Sequence, residues 1–398
     1  MDRPLTGSMS RPFTAIICTG GPDAPESVQN WRLARALAER GHAVTLVCDR
    51  GRRDLVGRHD GFEVETWPSP VPGSLRDFRF FRRLVRRVAS DLVIGNFQSV
   101  NVAIPTGRVM GVPYRIAWHR SLSTQTPLDY PRGRALQWVH DRLKAQVLAC
   151  ATHVVPVSPA GRRDAMDTYR VPADRCGMVF HTCRPDPRSL VDEAPRPDPR
   201  HRRVASLGRV VPSKGIDVLL RAMRRLRDRE PGWPLVLDVV GDGTARGALA
   251  DLARSLEIEG LVRWHGRLGH SEAFRILSAA HVMALPIRSD PGPGVVPEGL
   301  GLGLPLVVSR VGGMADLLAD VGGAILFDVD DDRQLAGHLH AILADAALRG
   351  RLSTAARQAY LDRFRLDDWV ARVVDWLEST VVSPPPPGHP RPQRRTPP

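Results

Sequence analysis

Lysine is almost missing from this chain. Of 56 lysine and arginine residues only two are lysine, Lys144 and Lys214. Long apolar runs are missing too. No stretch reaches the roughly eighteen residues of a membrane span, which excludes a transmembrane helix on hydropathy. The first residues, "MDRPLTGSMSRPFTAIICTGG", lack a long apolar core and a small-residue cleavage site, so no signal peptide is expected. Cysteine is sparse. Cys18, Cys48, Cys150, Cys176 and Cys183 are odd in number, scattered, and form no C-x-x-C. That pattern excludes a disulfide framework and a cysteine-rich metal site, and predicts reduced thiols in a cytoplasmic protein. Aromatic residues amount to 6% and form no nucleic-acid-binding module, so charge alone does not argue for nucleic acid as a partner.

What is present is an ordinary globular composition with a basic surplus. Hydrophobic residues make up 42%, charged residues 25%, and the formal charge is +13. Such a surplus favours anionic partners, although an arginine-over-lysine habit of this strength also reads as compositional bias. A position where lysine is retained is the more informative one. At 398 residues the chain is long enough for two to three domains with substantial cores.

Strand and helix patterns alternate. "FTAIICTGG" (13–21) is a short apolar run ending in two glycines. The helical spacing of Trp31, Leu33, Ala34, Leu37 and Ala38 follows, Gly41 stops it, and 43–48 read as a second strand. This βαβ unit predicts a parallel sheet. Further strands are expected at 91–97, 112–119 and 151–158. The stretch 183–203 is rich in proline and charge, which predicts an interdomain linker, placed at 186–202. The alternation then restarts, from "VASLGRV" through "AILFD", and predicts a second α/β domain. The resulting division is a flexible N-terminus (1–12), a first domain (13–185), a second domain (203–360), a returning helix (361–380) and a disordered Pro/Arg-rich tail (381–398). Ligands of such sheets bind beyond the carboxyl ends of the strands, so the cleft between the domains is the expected site.

Two stretches carry candidate chemistry. In "LGRVVPSKG" a strand ends at Gly208, and Arg209 and Lys214 leave it on the following loop. An arginine fork beside a lysine point charge suits a diphosphate; the pair also reads as solvated loop cations. In "RSDPGPGVVPEGLGLGLPLVVSRVGG" (288–313), Asp290 and Glu298 flank a Gly/Pro loop that opens a short helix with Pro297 in its first turn, and Gly294 and Val295 are candidate substrate contacts there. Backbone N–H groups at a helix start bind phosphate, and a carboxylate one turn in can accept ribose hydroxyls. Taken alone, this stretch also reads as a turn with incidental acids.

Together the two stretches resemble family 4 of the glycosyltransferases. Gly208, Arg209, Lys214 and Gly215 match its G-R-x-x-x-x-K-G. Glu298, Gly303, Pro305, Gly312 and Gly313 match the second acid of E-x7-E and the glycines and proline beyond it. Gly241, Gly243 and Gly266 match landmarks between them. The resemblance runs from about residue 13 to 380 and is stronger in the second half. It implies the GT-B fold: an α/β protein of two Rossmann-like, doubly wound domains facing a cleft, with the C-terminal helix crossing back. It implies retaining transfer of a sugar from a nucleotide-diphosphate sugar without a metal or other cofactor. By the same resemblance Arg209 and Lys214 hold the leaving diphosphate, and His119 sits by the transferred sugar. Asp290 contacts the sugar and Glu298 the ribose. Gly266 and Arg267 lie near the base, and Gly20 and Gly21 close over the donor.

This sequence departs from the family pattern in places. Asp290 replaces the first glutamate and is one methylene shorter, Pro293 removes an N–H from the loop, and Asp316 replaces the last acid. Donor identity therefore stays open, as does a degenerate partner subunit. "RDFRFFRRLVRRVASD" (76–91) is amphipathic and arginine-rich. It reads either as an outer helix with its phenylalanine stripe in the core or as a contact with anionic lipid. The second reading fits a lipid-linked acceptor, work in surface polysaccharide or glycolipid synthesis, and a place at the inner face of the membrane. Other readings are a small-metabolite glycosyltransferase and a sugar-nucleotide epimerase or phosphorylase.

Overall fold

The computed structural model describes residues 11–20, 27–178, 184–191 and 197–382. Gly21 therefore lies outside the described residues, as do most of the N-terminal segment and of the C-terminal tail.

The first half runs β1 (Thr14–Cys18), α1 (Val28–Glu39), β2 (Ala43–Cys48), β3 (Gly57–His59), β4 (Phe62–Thr66), α2 (Leu75–Val88), β5 (Leu92–Gly95), α3 (Val100–Val109), β6 (Tyr114–His119), α4 (Gln125–Asp129), α5 (Arg134–Ala149), β7 (His153–Pro156) and α6 (Pro159–Asp167). The strands form one sheet in the order β3-β4-β2-β1-β5-β6-β7. Every pairing is parallel except β3 with β4. The interior strands are apolar on both faces, as a sheet covered by helices on both sides requires. Ile16 and Ile17 are neighbours in β1, yet they fall in different core clusters on opposite sides of the sheet.

The second half runs β8 (Arg202–Leu207), α7 (Ile216–Arg229), β9 (Leu235–Val240), α8 (Arg246–Ser255), β10 (Val262–Gly266), α9 (His270–Ser278), β11 (Val282–Leu285), α10 (Val295–Leu302), β12 (Leu306–Ser309), α11 (Gly313–Leu318), β13 (Ala324–Phe327), α12 (Asp332–Ala344), α13 (Ala346–Arg363) and α14 (Leu366–Val382). Its sheet, β10-β9-β8-β11-β12-β13, is parallel throughout.

The last helix returns to the first half. Leu366, Trp369, Val370, Val373, Val374 and Leu377 are buried in the core cluster that also holds Leu33 and Leu37 of α1. Arg40 donates to Asp375 at 2.8 Å and to Glu378 at 2.7 Å. The apolar stripe thus supplies the burial, and the ion pairs lie at its exposed edge.

Helix α2 decides between the two readings of its apolar stripe. Phe81, Leu84 and Val85 are buried, with Phe78, Phe80 and Val88 packed against the same cluster. Its start is pinned by a capping box, in which Asp77 accepts from the Ser74 N–H at 2.8 Å. The stripe in 76–91 therefore belongs to the core and does not rest on lipid. The arginines of the segment face outward.

The proline-rich stretch also departs from a free linker at its start. Arg184 is buried, its carbonyl accepts from the Tyr360 hydroxyl at 2.9 Å, and Asp186 pairs with Arg357.

Candidate active site at the domain cleft

The candidate residues sit where parallel strands end. Gly208 follows β8, Gly266 closes β10, Asp290 lies on the loop after β11, His119 ends β6, and Gly20 follows β1. Gly208, Arg209 and Lys214 line a small cavity of about 30 Å³ together with Ile216, Pro286 and Val295. Lys214 ends a short 3₁₀ turn, Pro212–Lys214, and Gly215 follows with φ +64°. A Cβ on Gly215 would stand 1.9 Å from the Pro286 carbonyl oxygen. Glycine is needed there both for the left-handed backbone and for the close packing that aims Lys214 at the cavity.

Each cation of the pair already has a carboxylate. Lys214 Nζ donates to Asp290 Oδ2, and the two side chains are 14% and 10% exposed. Asp290 Oδ1 also accepts from the Gly292 N–H at 2.8 Å. Arg209 Nη2 donates to Asp129 Oδ2 at 3.3 Å, and Asp129 Oδ1 accepts from the buried Ser213 N–H at 3.0 Å. Asp129 belongs to α4, so it reaches across the cleft and caps the loop that carries Arg209 and Lys214. Nearby, the Thr124 and Ser289 hydroxyls bond across the same seam at 2.8 Å.

Glu298 stands one turn into α10 and is 5% exposed. It accepts from Arg184 Nε at 3.2 Å. The guanidinium lies so close over Gly294 that a Cβ there would approach it to 2.2 Å. The start of α10 is thus covered by Arg184, and Val295 turns toward the Lys214 cavity. Gly266 is bridged to Gly241, whose N–H donates to the Gly266 carbonyl at 2.8 Å. Arg267 is exposed. Neither lines the Lys214 cavity. Gly20 accepts from Trp31 Nε1 at 3.3 Å through its carbonyl.

On the opposite wall, His119 Nε2 faces Asp164 Oδ2 at 3.1 Å. Burial pushes the His119 pKa below its ordinary value, against the pull of Asp164. Asp164 is itself held below the usual carboxylate range. Burial works to raise it, and the hydrogen bonds from His119 and Ser123 outweigh that. Among the described residues no three His, Cys, Asp or Glu side chains gather as a metal-binding group.

Two of these residues were invisible to sequence reasoning. Asp129 lies in "TPLDY", which has no motif. Arg184 opens a stretch that reads as linker.

Comparisons with known proteins agree with this architecture. The profile described as "Glycosyl transferases group 1" matches residues 191–359, and that described as "Glycosyl transferase 4-like domain" matches 27–179. A D-inositol 3-phosphate glycosyltransferase of Nocardioides sp. is 31% identical over 377 residues, covering 85% of this chain and 80% of its own. A lipopolysaccharide core biosynthesis glycosyltransferase of Rhizobium meliloti is 26% identical over 66% of this chain and 65% of its own. A glycogen synthase of Mycobacterium tuberculosis is 31% identical over 176 residues, and the match spans only 41% of that enzyme. In structure, the Anabaena protein HepE in complex with UDP-glucose superposes with a TM-score of 0.73 at 15% identity, over 92% of this chain and all of that one, a likeness of fold alone. Two parallel α/β sheets facing a cleft, a C-terminal helix crossing back, and matches of this extent place the chain in the group 1, family 4-like glycosyltransferases, with the GT-B fold.

Proposed function

We propose that this chain is a retaining glycosyltransferase that moves a sugar from a nucleotide-diphosphate sugar to an acceptor used in surface polysaccharide or glycolipid synthesis. The observation that carries the reading is the cluster at the end of β8. Lys214 and Arg209 share one cavity with the start of α10, and their charges are balanced by Asp290 and Asp129. A diphosphate would take the place of those carboxylates. The bond from the anomeric carbon to the diphosphate oxygen breaks, and one to an acceptor hydroxyl oxygen forms. The hydroxyl proton passes to the departing phosphate oxygen. Lys214 and Arg209 stabilise the negative charge that grows on that oxygen, Asp290 contacts the sugar, Glu298 holds the ribose, and His119 stands on the far side of the transferred sugar. The related HepE structure holds UDP-glucose, which supports a uridine nucleotide as the first donor to try. The relative that acts on D-inositol 3-phosphate keeps a small phosphorylated acceptor as the second reading.

The test is thermal unfolding of the protein against nucleoside diphosphates and their sugars, in chelator. One nucleotide is expected to raise the midpoint, with sugar transfer unchanged by the chelator. No shift with any nucleotide would leave a degenerate partner subunit as the better description, and strict dependence on Mn²⁺ or Mg²⁺ would overturn the metal-free scheme.

A further inference from the structure

Between α3 and α5, on the first sheet's side of the cleft, lies a cavity of about 1000 Å³. His119, Arg120, His140 and Lys144 lie on its wall, and no carboxylate is among its lining residues. Lys144 is half-buried. Its Nζ donates to the Ser121 hydroxyl at 3.0 Å and to the Tyr169 hydroxyl at 3.2 Å, and lies 4.3 Å from the Tyr169 ring centre. Among the described residues it makes no ion pair with a carboxylate. Asp164 is occupied by His119 and Ser123, and Asp141 by Gln137. Burial pulls the Lys144 pKa down to about 8. An ammonium kept in such surroundings without a contacting carboxylate is stabilised by an anion that enters the cavity.

A second observation is independent of charge. Of the sixteen residues of α5 only Leu148 is buried. Leu136, Val139 and Leu143 recur at helical spacing and are 65%, 44% and 58% exposed, and Trp138, which lies off that stripe, is 61% exposed. Leu143 belongs to both features, since it also lines the cavity. Arg132, Arg134 and Arg142 are exposed around the stripe, and the Arg142 guanidinium stacks 5.0 Å from the Trp138 ring centre. Apolar side chains bounded by tryptophan and arginine suit the interface of an anionic lipid layer.

We propose that the cavity and the outer face of α5 together seat an anionic amphiphile: its acidic head group enters toward Lys144 and Arg120, and its apolar tail lies along Leu136, Val139 and Leu143. This rests on the glycosyl-transfer reading, because it names the class of that enzyme's acceptor. It moves the lipid contact from α2, whose stripe is in the core, to α5, whose stripe is not.

Three probes separate the parts: dodecyl phosphate below its micelle concentration, dodecyl maltoside, and inorganic phosphate, each titrated calorimetrically. Dodecyl phosphate is expected to bind at least about tenfold more tightly than either of the others. Lys144→Gln is expected to weaken it by about tenfold or more, the loss of one charge-assisted hydrogen bond, and to leave dodecyl maltoside unchanged. Leu143→Gln is expected to weaken dodecyl phosphate and not inorganic phosphate. Inorganic phosphate binding as tightly as dodecyl phosphate would overturn the tail contact and leave a soluble anion site. Equal binding of dodecyl maltoside, or indifference to Lys144→Gln, would overturn the head contact. A concentration-dependent dimer that Leu143→Gln dissolves would give the face to a second copy of the chain and refute the proposal. The nucleotide-induced rise in melting midpoint, measured in each variant, reports an intact fold. If that rise is missing from the parent while dodecyl phosphate binds as expected, the donor reading fails and the amphiphile site stands.

Discussion

Replacing Lys214 by alanine tests the donor site most sharply, because the structure gives the sign of two separate effects. Lys214 is the less exposed of the two cations, 14% against 50% for Arg209. A hydrogen bond to a charged group contributes about 1.5–3 kcal/mol, so the nucleotide Kd is expected to rise roughly 10- to 150-fold. At a ligand concentration one hundred times the parental Kd, the parent gains about 2.7 kcal/mol, or about 5–11 °C in midpoint for a domain of this size. With Kd weakened about a hundredfold, the same concentration stabilises the variant by about 0.4 kcal/mol, roughly 1 °C. Turnover is expected to fall by about 10²–10³, the usual cost of one preorganised donor to a developing charge. The second effect comes from Asp290. Without Lys214 its carboxylate faces the diphosphate uncompensated and repels it. The double variant Lys214→Ala/Asp290→Ala is therefore expected to bind nucleotide better than Lys214→Ala alone, with turnover still lost. The assay is thermal unfolding with nucleotide in chelator, paired with release of nucleotide from the sugar donor. A parental midpoint shift and parental release in Lys214→Ala would refute the reasoning. A double variant no better than the single would refute the pairing of Lys214 with Asp290.

Asp129→Ala leaves the buried Ser213 N–H without its acceptor, at about 1–3 kcal/mol. Urea unfolding should show a lower midpoint, and an unchanged one would mean that the capping contact across the cleft contributes nothing. Arg184→Met removes one partner of a pair whose side chains are 9% and 6% exposed; breaking such a pair costs about 3–5 kcal/mol, so the midpoint should fall more than in Arg188→Met, whose arginine is exposed. Lys144 is faced by Tyr169, Ser121 and His119, with Asp164 and Asp141 further off, and its pKa drops to about 8 in the fold from 10.5. Between those values the unfolded chain binds more protons, so this group makes stability rise with pH from about 8 to 10.5 and contributes no slope below about 8. The stability difference between the parent and Lys144→Gln should move in the parent's favour across that window, as read by urea unfolding at a series of pH values. Gly215→Ala adds about 1–2 kcal/mol of left-handed backbone strain to a collision with the Pro286 carbonyl, and nucleotide binding should be lost with it.

Much of this protein is determined by local sequence. Apolar runs of four to six residues, glycine stops and helical spacing are short-range signals, and they marked both parallel sheets and the restart of the pattern after 203. The motif G-R-x-x-x-x-K-G placed Lys214 on a loop at a strand end, because its glycine requirement is a backbone property of that loop. The hairpin at 57–66 was not legible, since β3 is three residues without an apolar side chain and pairs in the sheet with β4. Tertiary structure decided everything that depends on which face meets which neighbour. The stripes of α2 and α5 carry similar residues, yet one packs into the core and the other stays outside, because α2 lies against α3 whereas only the last turn of α5 reaches the core. Asp129 and Arg184 take their roles from distances across 80 and 114 residues of chain, which no local pattern encodes. A carboxylate's partner is set by what the fold brings within about 3 Å, and that is settled only when the two sheets face each other across the cleft.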